Sequence, residues 1–95
     1  MDRDEMNAIL DTESAALRGR GYAGLCRLVE PENAEIRLVP GRLGNCYNLE
    51  IFALWDDEER GLLRVRVNID DGRWRNIFLP CRDFVIAPDG TVTPG

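Results

Sequence analysis

The sequence contains no histidine and no lysine. Without histidine there is no Ser–His or Cys–His nucleophile pair, no H-E-x-x-H zinc site and no imidazole acid–base step. Without lysine there is no Schiff base, no pyridoxal anchor and no P-loop lysine. Serine occurs once, as Ser14 in the first helical segment. What remains for catalysis is carboxylate, tyrosine, arginine or a thiol lacking a histidine partner, so no catalytic residue is assigned. Cysteine is scarce as well. Cys26, Cys46 and Cys81 are odd in number and lack C-x-x-C spacing, which fits neither a zinc knuckle nor a disulfide framework. They are expected to be reduced, unpaired and metal-free, serving as buried small hydrophobes; Cys81, directly followed by Arg82, is the thiol most open to perturbation. No cofactor is expected. No run approaches the roughly 18 apolar residues of a membrane span. The acidic start, "MDRDEMNAIL", lacks a signal peptide's apolar stretch, so a cytoplasmic protein without a membrane partner is predicted.

What is present is ordinary for a globular chain: 95 residues, 44% hydrophobic and 31% charged, enough for one domain over 1–95 with a modest core. All twelve basic residues are arginine, and the net charge is −5. An acidic chain repels phosphate backbones, so no nucleic-acid partner is expected.

The stretch "GRGYAG", residues 19–24, matches G-x-G-x-x-G letter for letter. A dinucleotide fingerprint needs a buried strand before the glycines and a helix after them. Here "MNAILDTESAALR" precedes them, and Met6, Ile9, Leu10, Ala16 and Leu17 recur at helical spacing. Asp2 or Asp4 can cap this helix, and Gly19 or Gly21 can take the left-handed conformation that ends it. "GRGYAG" therefore reads as a helix stop. "YAGLCRLVEPE" follows as a short second helix, with Tyr22, Leu25 or Cys26, and Val29 on one face and Pro31 ending it. A strand there would turn two small residues inward.

From residue 34 the period changes to two. "AEIRLV" alternates Ile36 and Leu38 against Glu35 and Arg37, and Pro40-Gly41 offers a type II turn. "CYNLEIFALW" carries Tyr47, Leu49, Ile51, Ala53 and Trp55 on one face and Asn48, Glu50, Phe52 and Leu54 on the other. "LLRVRVNI" turns Leu63, Val65, Val67 and Ile69 inward and Arg64, Arg66 and Asn68 outward. "RWRNIFLP" and "DFVIAP" finish the sheet, "PDGT" closes a turn, and Thr91 to Gly95 reads as a loose tail. The prediction is an α+β fold: helices over 3–18 and 22–30 packed on a curved antiparallel sheet with strands over 34–39, 46–55, 62–69, 73–79 and 83–87. The run "LRGRGYAGLCRLVEPE" before meandering strands resembles the opening of NTF2-like and cystatin-like proteins. "WDD…IDDGRW…DFVIAPDG" is similar to small uncharacterised bacterial proteins. The first resemblance implies helices laid across a bent sheet, often enclosing a pocket.

The acidic clusters "WDDEERG" and "IDDG" fall at opposite ends of the predicted hairpin, roughly 20–23 Å apart at 3.3 Å per residue. Ile69 occupies a ligand position of the D-x-[DN]-x-[DN]-G calcium loop, so these read as solvated turns. The arginines at 64, 66, 73 and 75 form a row for which Glu50 is the expected counter-charge. Pairing Ala53 with Val65 and Ile51 with Val67 places Phe52 and Leu54 outward beside Arg64 and Arg66. A two-residue turn at Asp71-Gly72 adds Ile77 and Leu79 to that face; a three-residue turn adds Trp74 and Phe78 instead. Such a patch, rimmed by arginine, calls for a cover. The leading expectation is a non-catalytic protein-interaction domain using Phe52, Leu54, Arg64, Arg66, Ile77 and Leu79, with a second copy as a candidate partner. The alternative is a small-molecule-binding or minor enzymatic domain whose pocket is lined by Tyr22, Tyr47, Trp55 and Trp74, with Asp83 or Glu50 as its carboxylate.

Overall fold

The glycines do end the first helix. In the computed structural model, which describes residues 3–70 and 80–94, α1 spans Arg3–Arg18 and breaks at Gly19 and Arg20. Gly21 then takes φ 81°, a left-handed turn that costs a glycine little and any other residue strain. The buried stripe of α1 is Met6, Leu10, Ser14 and Leu17, with Ile9 at its margin. Ser14 takes the place expected of Ala16, which is exposed. Only spacings of four, four and three keep the side chains on the sheet-facing line.

α2 is shorter than predicted. It spans Gly21–Cys26 and tightens into a 3-10 turn over Arg27–Val29, and a second 3-10 turn covers Pro31–Asn33. Pro31 opens that second turn rather than merely stopping a helix, its fixed φ suiting the first turn. Leu25 and Leu28 are the fully buried residues here, while Tyr22, Cys26 and Val29 pack at the edge of the core.

Five antiparallel strands follow in meander order: β1 (Glu35–Pro40), β2 (Cys46–Asp57), β3 (Leu62–Asp70), β4 (Cys81–Ile86) and β5 (Val92–Pro94). The sheet is open, and the helices lie on one face of it, giving an α+β fold. The predicted register of the central hairpin is the one found: Ile51 pairs with Val67 and Ala53 with Val65. Tyr47, Leu49, Ile51, Ala53, Leu63, Val65, Val67, Ile69, Phe84 and Ile86 form the inner face and bury against α1 and α2. A bulge between Trp55 and Asp57 carries β2 two residues beyond the apolar alternation.

The sheet departs from the sequence reading at its first turn and at its last two strands. The β1–β2 turn runs from Gly41 to Asn45, closed by Gly41 N–H donating to Asn45 O, and Pro40 still belongs to β1, paired with Cys46. The predicted strand over 73–79 lies outside the described residues. Within them, β3 pairs directly with β4, which starts at Cys81 rather than at residue 83. The supposed loose tail supplies β5, held by Ala87 N–H to Thr91 O and by Asp89, whose carboxylate accepts from Thr91 N–H.

β1 follows the predicted alternation with its sense reversed. Ile36 pairs with Glu50 and Leu38 with Asn48, and cross-strand partners share a face. Both apolar residues therefore point away from the helices, 74% and 68% exposed. Glu35 and Arg37 face the helices instead, where Arg20 in the turn between α1 and α2 and Glu13 of α1 meet them. Arg20 clasps Glu35 through two bonds of 2.6 and 3.0 Å, and Arg37 reaches Glu13 at 2.5 Å.

Candidate interaction surface

The side of the sheet away from the helices is built by alternation along each strand. Ile36 and Leu38 come from β1 and Phe52 and Leu54 from β2. Arg64 and Arg66 come from β3, and Asp83 and Val85 from β4, the latter fixed by the pairs Arg66–Asp83 and Arg64–Val85. Of the predicted interface residues, the structure thus brings together Phe52, Leu54, Arg64 and Arg66. Ile77 and Leu79 lie outside the described residues. Ile36 and Leu38 take up the apolar side of the patch instead. Leu54 is 40% exposed and Phe52 half-buried, so the apolar area is weighted toward β1 and the outer end of β2.

The polar side of this face is a chain of charges. Arg64 Nε donates to Asp56 at 3.0 Å and Nη1 to Asp83 at 3.0 Å, and Arg66 Nη2 reaches the same Asp83 oxygen at 3.2 Å. Bonds to Asp56 and then to Asp83 hold the Arg64 guanidinium even more firmly protonated than usual. Asp83, one of the two carboxylates considered for a pocket, is thus the counter-charge of this row. Glu50, the expected counter-charge, lies opposite Asn68 and is exposed. The reason is register: Arg66 pairs with Asp83, whereas Glu50 is one pair further along the hairpin. Arg66 Nε is buried without a hydrogen-bond partner among the described residues. A shallow hollow of about 430 Å³ beside the patch is lined by Ile36, Asn48, Glu50, Asn68, Asp70 and Cys81.

Cys46 and Cys81 are exposed and free, and Cys26 is half-buried and free. The two exposed thiols start β2 and β4 on outward-facing positions, which corrects their reading as buried small hydrophobes. Arg82 turns to the opposite face, where it binds Asp11 and Asn7, each at 3.0 Å, away from the Cys81 side chain.

The residues proposed to line a pocket are spread out. Tyr47 is fully buried at the start of β2, its hydroxyl donating to Glu5 Oε1 at 2.7 Å. Trp55 stands eight positions on, at the far end of the same strand, roughly 27 Å away at 3.4 Å per residue. Tyr22 is near that far end, donating to Gly61 O at 2.6 Å, and burial followed by its bond with Cys26 pushes its hydroxyl pKa up. Trp74 lies outside the described residues. On the helix side, a cleft of about 480 Å³ opens between α1 and β1, with Ala8, Ile9 and Val39 as its apolar floor and Glu5, Glu13 and Arg42 at its rim. It was not legible in the sequence, since it depends on the spacing between α1 and an edge strand. None of Tyr22, Tyr47 and Trp55 lines it.

No family profile, curated protein or solved structure matches this chain significantly. The NTF2-like and cystatin-like resemblance accordingly rests on the order of helices and strands alone. Among the described residues, no helix is long and apolar enough to cross a membrane.

Proposed function

We propose that this chain is a non-catalytic protein-interaction domain whose working surface is the outer face of the sheet. The observation that carries this reading is the reversed β1. An isolated exposed leucine is unremarkable on any protein surface. Ile36 and Leu38 are both more than two-thirds exposed on a strand whose charged residues face the helices, and Ile36, opposite Glu50, is the diagonal neighbour of Phe52. A chain stabilised only as a monomer gains by turning such residues inward. Apolar surface next to ordered arginines has the composition of an interface, where arginine is enriched and the apolar centre is depleted in charge.

The test is solution mass by light scattering on the wild type, Leu54→Glu and Phe52→Glu. Leu54 is already exposed, so its substitution should leave folding intact; circular dichroism checks this for Phe52→Glu. The wild type should scatter above its 10.8 kDa chain mass and both variants at it. A wild type at chain mass throughout, or an assembly indifferent to both substitutions, contradicts the reading.

A further inference from the structure

We infer that the partner is a second copy of this chain, joined antiparallel through the open edge of β1 about a two-fold axis at Ile36. This rests on the outer face being an interaction surface, since edge pairing sets the outer faces of two copies side by side as one sheet. Among the described residues β1 is hydrogen-bonded on one side only, to β2, and the opposite sheet edge, β5, spans three residues ending in Pro94. Exposed edges are commonly protected by charged side chains, by inward-pointing charges, by a bulge or by proline. β1 runs in unbroken register with β2 and holds its proline at the last position, Pro40, and its inward charges, Glu35 and Arg37, are already neutralised by Arg20 and Glu13. Ala34 before it is already extended, with φ −58° and ψ 139°, so the pairing segment runs from 34 to 38.

Charge sets the register. Residues that face each other across antiparallel strands share a face, so a two-fold axis must pass through a residue position. Centred on Ile36, it sets Glu35 against Arg37 of the other copy, twice, with Ile36 against Ile36 and Leu38 against Ala34 on the outer face. Centred on Arg37, it sets two arginines against each other, which is unfavourable. The Ile36 axis also brings Ile36 and Leu38 of both copies together on the outer face, with Phe52 of each chain diagonal to its own Ile36.

The experiment is disulfide trapping of the full chain with Cys46 and Cys81 replaced by serine, to remove the exposed native thiols. Ile36→Cys, Leu38→Cys and Leu43→Cys are compared under oxidised glutathione. Opposed residues across an antiparallel pair have Cα atoms about 4.5–5.5 Å apart, within disulfide reach. The two copies of residue 38 would be displaced by four positions, roughly 13 Å. Leu43, 90% exposed in the β1–β2 turn, reports random collision. Ile36→Cys should link about tenfold faster or more than the other two, as a high effective concentration requires. Equal rates for all three, or faster linking at Leu38→Cys, overturn the edge pairing. If Ile36→Cys fails to link while the unlinked protein still scatters as a dimer that Leu54→Glu dissociates, the edge pairing is wrong and the outer-face reading stands. If it links in a dimer that Leu54→Glu and Phe52→Glu leave intact, the edge pairs and the outer-face reading fails.

Discussion

Glu5 shows how one side chain ties the start of α1 to the sheet. Its carboxylate accepts from the Tyr47 hydroxyl at 2.7 Å, from Arg42 N–H at 2.7 Å and from Arg42 Nε at 3.1 Å. These bonds, that from Tyr47 foremost, hold its pKa below the ordinary 4.5. A carboxyl whose pKa is lower folded than unfolded stabilises the protein above the unfolded value. That contribution is lost as pH falls through the folded value. Glu35, lowered by Arg20, and Asp89, lowered by the Thr91 backbone, act in the same direction. Urea unfolding at neutral pH and near pH 3.5 should therefore show a smaller acid-induced loss in Glu5→Gln than in the wild type; equal losses would count against the Tyr47–Glu5 bond. None of this was legible in the sequence, because the partners stand 37 and 42 positions away.

Gly61 is the other residue whose role lies in distant contacts. Its φ is 71°, and a Cβ there would come within 3.0 Å of Pro88 and of the Tyr22 hydroxyl that bonds its carbonyl. Gly61→Ala adds backbone strain to crowding between α2, the β2–β3 turn and the β4–β5 turn, a loss of about 1–3 kcal/mol. A melting temperature equal to the wild type's would show that the junction is looser than described. Sequence alone marks a turn at Gly61, as it marks a helix stop at Gly21, but not which elements converge there.

At the scale of elements, periodicity gave α1, β2 and β3 with their inward faces, because each buries one continuous stripe. Leu10, fully buried at the centre of the α1 stripe, should cost about 2–5 kcal/mol when cut to alanine, read as a shifted urea midpoint. A loss under 1 kcal/mol would mean α1 is not seated on the sheet as described. The sense of β1 was not legible. Alternation specifies two faces but not which one meets the core; pairing with β2, Glu35 opposite Ile51 and Arg37 opposite Leu49, sets the sense, and Arg20 and Glu13 neutralise the inward charges. Surface ion pairs of this kind are each worth at most about 1 kcal/mol, less than the roughly 1.5–3 kcal/mol of burying a leucine or isoleucine, so they accommodate that sense rather than decide it. β5 was missed because three residues carry too little pattern. Deleting residues 91–95 unpairs β4 from β5 and removes half-buried Val92 from the core margin, so the melting temperature should fall. An unchanged melting temperature would return that segment to the status of a tail.

At the scale of the molecule, arginine–carboxylate pairs tie α1 to both flanks of the sheet. Glu5 and Glu13 hold Arg42 and Arg37 on the β1 side, while Asp11 holds Arg82 on the β4 side and Arg18 sits 5.3 Å over the Phe84 ring. The inner face is thus closed by the chain itself. Glu35 and Arg37 point to that inner side, and the alternation of β1 leaves Ile36 and Leu38 on the other. The anionic surface and the absence of histidine and lysine were plain in the sequence. The candidate surface was half legible there: Phe52, Leu54, Arg64 and Arg66 followed from hairpin register, and Ile36 and Leu38 required the fold.

Sedimentation equilibrium of the wild type beside Ile36→Lys, from about 1 to 100 micromolar, addresses the surface most directly, spanning the affinities usual for a modest interface. A lysine at that exposed position puts a charge on the open edge without touching the core. The wild type should approach twice its 10.8 kDa chain mass as concentration rises, with Ile36→Lys remaining at 10.8 kDa throughout. A wild type that stays at chain mass to the highest concentration, indistinguishable from Ile36→Lys, would contradict self-association through this face.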